Sequence, residues 1–183
     1  EKVIKENPNH TNAQYNLGVS FYNLKELKKA IGFFKKTIEI QPNYAMPFFN
    51  LGNIYSELKE FNNAISNYQK AIEINPRLVG AHNNLGLVFR GLNDFENAIS
   101  CYEKAIEIKK DQAGTHHNLA LALKELGEFK KAILSHETAI KYEPENLSHY
   151  FYLNELKKDI LDSELKNKIK KIVENKKSNN SNL

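Results

Sequence analysis

Histidine and cysteine are the side chains of this sequence best suited to bind a metal ion or act as a nucleophile. His116 and His117 are adjacent, and His136 follows further along the chain. A metal site made from these three would need converging side chains, and neighbouring residues on a helix point in different directions. Cys101 is the only cysteine, which excludes an internal disulfide and a cysteine-rich metal site. We therefore expect packing roles for these histidines, no metal and no catalytic thiol.

Other catalytic patterns are absent from the sequence. It contains no glycine-rich phosphate loop, no serine-centred nucleophile elbow and no paired carboxylates in a turn. The chain is therefore predicted not to be an enzyme and to need no cofactor.

Asparagines at a constant spacing suggest binding rather than catalysis. The column consists of Asn16, Asn50, Asn84 and Asn118. An asparagine side chain offers both a hydrogen-bond donor and an acceptor. A ladder of such side chains can bind a peptide backbone without selecting among its side chains.

The asparagine column belongs to a 34-residue repeat, which predicts the elements that position it. Prolines mark the repeat at Pro8, Pro42, Pro76 and Pro144, with Lys110 at the remaining node. A Leu-Gly pair recurs at Leu17-Gly18, Leu51-Gly52 and Leu85-Gly86, and becomes Leu119-Ala120. An Ala-Ile pair recurs at Ala30, Ala64, Ala98 and Ala132 with the isoleucine that follows each.

Each repeat has the apolar spacing of two helices. In residues 11–44, Leu17, Phe21 and Leu24 lie on one face of a first helix. A second helix begins near Ala30 and ends before Pro42, which cannot continue it. Gly18 and Ala30 are small enough for two helix backbones to approach closely. One hairpin cannot bury both of its faces, so we expect successive hairpins to stack into a solenoid.

These residues strongly resemble the tetratricopeptide repeat family, especially the arrays of O-GlcNAc-transferase-type and bacterial proteins. The fullest match lies in residues 45–78, with Phe48, Leu51-Gly52, Tyr55, Ala64, Tyr68, Ala71 and Pro76. Departures from the family pattern are Gln14, Thr37, Lys110 and His136. The resemblance implies an all-α fold, a right-handed α-α superhelix of about four full repeats. These repeats are predicted at 11–44, 45–78, 79–112 and 113–146.

The ends of the chain depart from the repeat. Residues 1–10 align with the close of a truncated repeat. Residues 147–175 are predicted to contain a degenerate repeat and a capping helix. Residues 176–183 are polar and are expected to be disordered.

In the tetratricopeptide family, the first helix of every hairpin lines a concave groove in which extended peptides bind. The resemblance therefore implies candidate peptide-binding residues on the first helices. They are Tyr15, Asn16, Phe49, Asn50, Asn53, Asn83, Asn84, Arg90, His117, Asn118 and Lys124. The same columns of the groove face also contain Val19, Tyr22, Ser56, Leu87 and Leu121. The alternative interpretation is that asparagine is simply frequent at its position in this family.

The resulting hypothesis is a cytoplasmic protein-protein interaction scaffold that binds an extended peptide. The alternative is the substrate-recruiting region of a larger glycosyltransferase or sulfotransferase whose catalytic domain is absent. Self-association through exposed repeat ends is a third possibility. Neither nucleic acid nor a membrane is expected as a partner. The net charge is only +4, and the 24 lysines far outnumber the two arginines, which are the better phosphate ligands.

Overall fold

The structure is a computed structural model that describes residues 10–158, in which helices and turns occur without a strand. The helices are α1 Thr11–Asn23, α2 Leu27–Ile40, α3 Ala45–Glu57, α4 Phe61–Ile74, α5 Val79–Gly91, α6 Phe95–Ile108, α7 Ala113–Glu125 and α8 Phe129–Tyr142. Residues 147–158 are also helical. The truncated repeat at the start, the predicted capping helix and the predicted tail lie almost wholly outside the described residues.

The described residues fall into two compact units, a first unit that ends at Lys110 and a second unit that begins at Asp111. In the first unit, α1 packs against α2, α3 against α4 and α5 against α6. The second helix of each hairpin also packs against the first helix of the next, α2 on α3 and α4 on α5. In the second unit, α7 packs against α8. Each hairpin in the first unit therefore buries surface that it could not bury alone.

The core of each hairpin is an aromatic ring lying on a residue that has little or no side chain. We call the rings of the second helices the ring column, and it comprises Phe34, Tyr68, Tyr102 and His136, each no more than 1% exposed. A Cβ atom added to Gly18, Gly52 or Gly86 would lie 2.6 Å from a ring carbon of its own hairpin. The three nearest atoms are ring atoms at all three positions. The glycines therefore make room for a ring, whereas the sequence interpretation assigned Gly18 to a close approach of two helix backbones.

The hairpin of α7 and α8 differs from the others at both the glycine position and the ring position. Ala120 stands in the glycine position and His136 in the ring column, and both are fully buried. An imidazole ring is smaller than the ring of phenylalanine or tyrosine. The smaller ring therefore accommodates the extra methyl group of alanine within a close-packed interior.

The two helices of each hairpin are joined by a left-handed residue. Lys25, Lys59 and Asn93 each have a φ of 60°, and Gly127 has a φ of 73°. The following amide closes the turn, as in the 2.8 Å bond from Glu60 N to Tyr55 O. This is the Schellman arrangement, which favours glycine because a side chain makes the left-handed region costly. Two lysines occupy it here.

The second helices end at the same position with or without a proline. α2, α4 and α8 end two residues before Pro42, Pro76 and Pro144. α6 ends at Ile108 although Lys110 replaces the proline. Proline therefore agrees with these helix ends but is not needed to make one. Among the described residues, no helix combines the length and apolar character needed to cross a membrane.

Candidate functional site

A pocket of about 390 Å³ lies on the first helices of the first unit. α1 contributes Tyr22, α3 contributes Asn53, Ser56 and Glu57, and α5 contributes Asn84 and Leu87. Tyr68 of α4 also reaches it. The lining is mostly polar, with amide, hydroxyl, carboxylate and aromatic groups from three successive repeats.

Asn53 is the centre of the hydrogen-bond network in this pocket. Its Oδ1 accepts a 2.8 Å bond from the Tyr68 hydroxyl and a 2.9 Å bond from Nδ2 of Asn84. Asn83 Nδ2 donates in turn to Asn84 Oδ1 at 3.2 Å. Burial raises the pKa of Tyr68 well above its ordinary value, so its hydroxyl keeps the proton that it donates. The network fixes the amide of Asn84 at the pocket wall.

The equivalent tyrosine in the next repeat has no such partner. Tyr102 lies one repeat after Tyr68, and Leu87 lies one repeat after Asn53. The Tyr102 hydroxyl is buried and has no hydrogen-bond partner among the described residues. Because leucine cannot accept a hydrogen bond, replacing the asparagine by leucine explains the missing bond.

The predicted asparagine column does not consist of four equivalent side chains. Asn50 is 8% exposed, and its Nδ2 donates to the Tyr15 hydroxyl at 3.1 Å, so it joins α3 to α1. Asn16 is exposed and Asn84 is half-buried in the pocket. Asn118 is half-buried in the second unit. Of these four, Asn84 is the one that lines the pocket.

One edge of the pocket carries an ion pair. Lys25 Nζ lies 2.8 Å from Glu57 Oε1 and 5.5 Å from the centre of the Tyr22 ring. The hydrogen bond to Glu57 raises the pKa of the lysine. Both partners are exposed, so the pair contributes little to stability and can exchange for a charged ligand.

The other candidate residues are distributed around this centre. Phe49 packs on Tyr68 with ring centres 6.1 Å apart, and Tyr15 packs on Tyr44 with ring centres 5.1 Å apart. Arg90 is half-buried on α5. The structure thus brings Asn53 and Asn84 together in the pocket. His117 and Lys124 belong to the second unit.

Two pocket residues were missed by sequence reasoning. Tyr68 entered the sequence analysis only as an aromatic residue of the family pattern, and Glu57 did not enter it. A signal for Tyr68 was available: a tyrosine in a buried column needs a partner for its hydroxyl, and Asn53 lies on the facing helix of the same repeat. No comparable sequence signal identifies Glu57, because its carboxylate is placed by the ion pair with Lys25.

Three histidines of the second unit converge, one of which, His149, was not among the candidates from the sequence. One ring nitrogen each of His117, His136 and His149 lies within 4.8 Å of the other two. His116 instead stacks on Tyr142, with ring centres 5.7 Å apart. His116 and His117 do diverge, as expected for neighbours on a helix, but His149 supplies the third ring. His149 was missed because its helix follows the last well-formed repeat.

Cys101 is a half-buried free thiol on α6. Burial raises its pKa to about 11, with a smaller contribution from the charge of Asp94. The thiolate is the reactive form of cysteine, so this residue is a poor nucleophile at neutral pH.

Comparisons with known proteins agree with this architecture. Models of the tetratricopeptide repeat match residues 11–44, 33–66 and 115–148, and a further TPR repeat model matches 52–93 and 86–127. No curated protein matches the chain.

Solved structures provide the second comparison. A crystal structure of MamA is 27% identical, with a TM-score of 0.74 over 80% of this chain and 86% of that one. YrrB, described as a TPR protein with an unusual peptide-binding site, is 19% identical, with a TM-score of 0.75 over 85% of this chain and 80% of its own. PilF of Pseudomonas aeruginosa is 21% identical, with a TM-score of 0.78 over 89% of this chain and 74% of its own. The predicted fold class, an all-α array of repeats, is confirmed.

Proposed function

Because the chain belongs to the tetratricopeptide repeat family, we propose that it is a non-catalytic scaffold that binds an extended segment of a partner protein on the first helices of its repeats. The observation that carries this proposal is the pocket formed by α1, α3 and α5. A surface shared by successive repeats suits an extended ligand, because each repeat can contact a further stretch of the same chain.

The chemistry of the pocket favours a peptide backbone over a purely apolar ligand. The amide of Asn84 and the hydroxyl of Ser56 provide hydrogen-bonding groups, while Tyr22 and Leu87 provide apolar surface. Asn84 is already held by its bond to Asn53, so less conformational entropy is lost when a ligand binds. The peptide-binding site described for YrrB supports the same class of ligand.

The test is selection of peptides that bind the purified protein, followed by affinity measurement on variants. Peptides from a random library would be selected on immobilised protein, and their Kd values measured by fluorescence anisotropy. Ser56→Arg places a large side chain in the pocket. Ser66→Arg is the matched control, because it adds the same side chain and charge at an exposed position of α4.

We expect Ser56→Arg to weaken binding at least about tenfold, which corresponds to about 1.4 kcal/mol. Ser66→Arg should leave the Kd unchanged, and both variants should retain their helical circular dichroism. Peptides that bind both variants equally would place the binding surface elsewhere. A library that gives no binder above background would remove peptide binding from the proposal.

A further inference from the structure

Three histidines from three helical segments meet inside the second unit. His117 comes from α7, His136 from α8 and His149 from the helical residues 147–158. The ring centre of His117 lies 5.1 Å from that of His136 and 5.3 Å from that of His149. One nitrogen of each ring lies within 4.8 Å of the others. The cluster is independent of the pocket on the first unit.

His136 is an unusual residue for its position. The other members of the ring column are Phe34, Tyr68 and Tyr102, whereas His136 places two polar nitrogens in the core at 0% exposure. Neither nitrogen has a hydrogen-bond partner among the described residues. A buried polar group without a partner costs free energy, and a ligand bound to one of these nitrogens would offset part of that cost.

The surroundings of His136 favour an uncharged imidazole. Burial is the main cause that lowers the pKa of His136, and the neighbouring His117, His149 and Lys124 act in the same direction. An uncharged imidazole has one N–H group and one nitrogen with an available lone pair. Neutral imidazole is the form that binds metal ions. The positive charge of Lys124 also opposes a metal cation, which favours a moderate affinity over a very tight one.

His149 is oriented by a carboxylate. Its Nε2 lies 3.4 Å from Oε2 of Glu143, while its Nδ1 is buried without a partner among the described residues. The pKa of Glu143 is lowered by the hydrogen bonds from Asn146 and His149, so the carboxylate is ionised at neutral pH. A carboxylate on one ring nitrogen typically orients a metal-binding histidine and raises the basicity of the other nitrogen.

We propose that His117, His136 and His149 bind a divalent transition-metal ion, with zinc as the best match. Three imidazole nitrogens suit zinc, copper or nickel, whereas magnesium and calcium prefer oxygen ligands. In a tetrahedral zinc site the ligand nitrogens lie about 3.3 Å apart, so the rings need to move closer by about 1.5 Å at most. The ion ties α7, α8 and residues 147–158 together.

The test begins with the full chain, stripped of metal by a chelator and titrated with ZnCl₂ in a calorimeter. MgCl₂ serves as the control ion. We expect one zinc ion per chain, a Kd in the micromolar range or tighter, and an increase in Tm. X-ray absorption of the zinc complex should show three imidazole ligands.

The structure also allows a variant that removes a ligand without damaging the core. His136→Phe alone would force a larger ring against Ala120, so it is combined with Ala120→Gly, which restores the Gly18–Phe34 pairing of the first repeat. Ala120→Gly alone is the matched control, because it keeps all three histidines. The double variant should lose at least about 100-fold in zinc affinity, and Glu143→Gln about tenfold.

Three results would overturn the proposal. The first is a folded double variant that binds zinc as tightly as Ala120→Gly. The second is a wild-type chain that binds zinc with a Kd above about 100 μM, which is a binding free energy weaker than about 5.5 kcal/mol. The third is an absorption spectrum with fewer than three imidazole ligands, and this last measurement needs no variant. His116→Gln should change none of these measurements, since that ring stacks on Tyr142 outside the cluster.

Discussion

Two buried tyrosines occupy equivalent positions, and removing the hydroxyl group from one or from the other should have opposite effects on the stability of the protein. Tyr68 and Tyr102 occupy the same position in successive repeats, and each lies against a glycine of its own hairpin. The Tyr68 hydroxyl donates to Asn53, whereas the Tyr102 hydroxyl has no partner among the described residues. Tyr68→Phe therefore measures the contribution of a hydrogen bond, whereas Tyr102→Phe measures the cost of burying a hydroxyl group without a partner.

The expected magnitudes follow from these contacts. Tyr68→Phe loses one hydrogen bond, which contributes about 1 kcal/mol net. Asn53 Oδ1 keeps its second donor, Asn84, so no further penalty is expected. Tyr102→Phe removes an unsatisfied hydroxyl whose burial costs about 1–3 kcal/mol, so this variant should be at least as stable as the wild type. The two variants should therefore differ by about 2 kcal/mol or more in stability, and their Tm values by at least about 4 °C.

Thermal and urea unfolding followed by circular dichroism would measure these differences. Leu87→Asn provides the complementary test, because it places an amide where Asn53 lies relative to Tyr68. A double-mutant cycle compares Leu87→Asn in the wild type with Leu87→Asn in Tyr102→Phe. Leu87→Asn should be less destabilising in the wild type, where the new amide can accept a hydrogen bond from the Tyr102 hydroxyl. Equal losses of stability in Tyr68→Phe and Tyr102→Phe would refute the hydrogen-bond assignment, as would zero coupling in the cycle.

Three further outcomes are expected. Gly86→Ala should destabilise the protein by about 1–3 kcal/mol in urea unfolding, because the new Cβ would lie 2.6 Å from the Tyr102 ring; unchanged stability would contradict this packing. Lys59→Gly should stabilise the protein by about 1 kcal/mol because Lys59 has a positive φ. Lys35→Gly, within α2, should destabilise the protein by a similar amount. If both variants changed the free energy of unfolding in the same direction, the turn geometry would be wrong. The alkylation rate of Cys101 by iodoacetamide should rise about tenfold per pH unit from pH 7 to 10, since its pKa is about 11; a plateau near pH 9 in the folded protein would show an ordinary thiol.

The helices were predictable because a repeat presents the same pattern several times. A fixed spacing of small and aromatic residues identifies both helices of each hairpin even where one residue departs from the pattern. Lys110 shows this tolerance, since α6 ends as the other second helices do. The left-handed turns were less visible, because Lys25 and Lys59 replace the glycine that usually indicates them. Tertiary packing of the two helices outweighs the local cost there.

The sites were harder to predict than the fold because they depend on contacts between repeats. The asparagine column identified a shared face, but the sequence does not distinguish Asn50, which joins two helices, from Asn84, which lines the pocket. The histidine cluster was missed for a related reason. His149 lies on a helix outside the regular repeats, so the 34-residue spacing says nothing of where its ring points.

The glycine and the ring that lies on it belong to the same hairpin, as Gly52 and Tyr68 do. Duplication or loss of a whole 34-residue unit in the gene would therefore transfer a matched pair intact. A crossover inside a hairpin would separate the two members of a pair. Joining the first helix of the last hairpin to the second helix of another would place Ala120 against a phenylalanine or tyrosine. The reciprocal product would place a glycine against His136 and leave a cavity. Evolution of this chain should thus change the number of repeats more readily than it exchanges their halves.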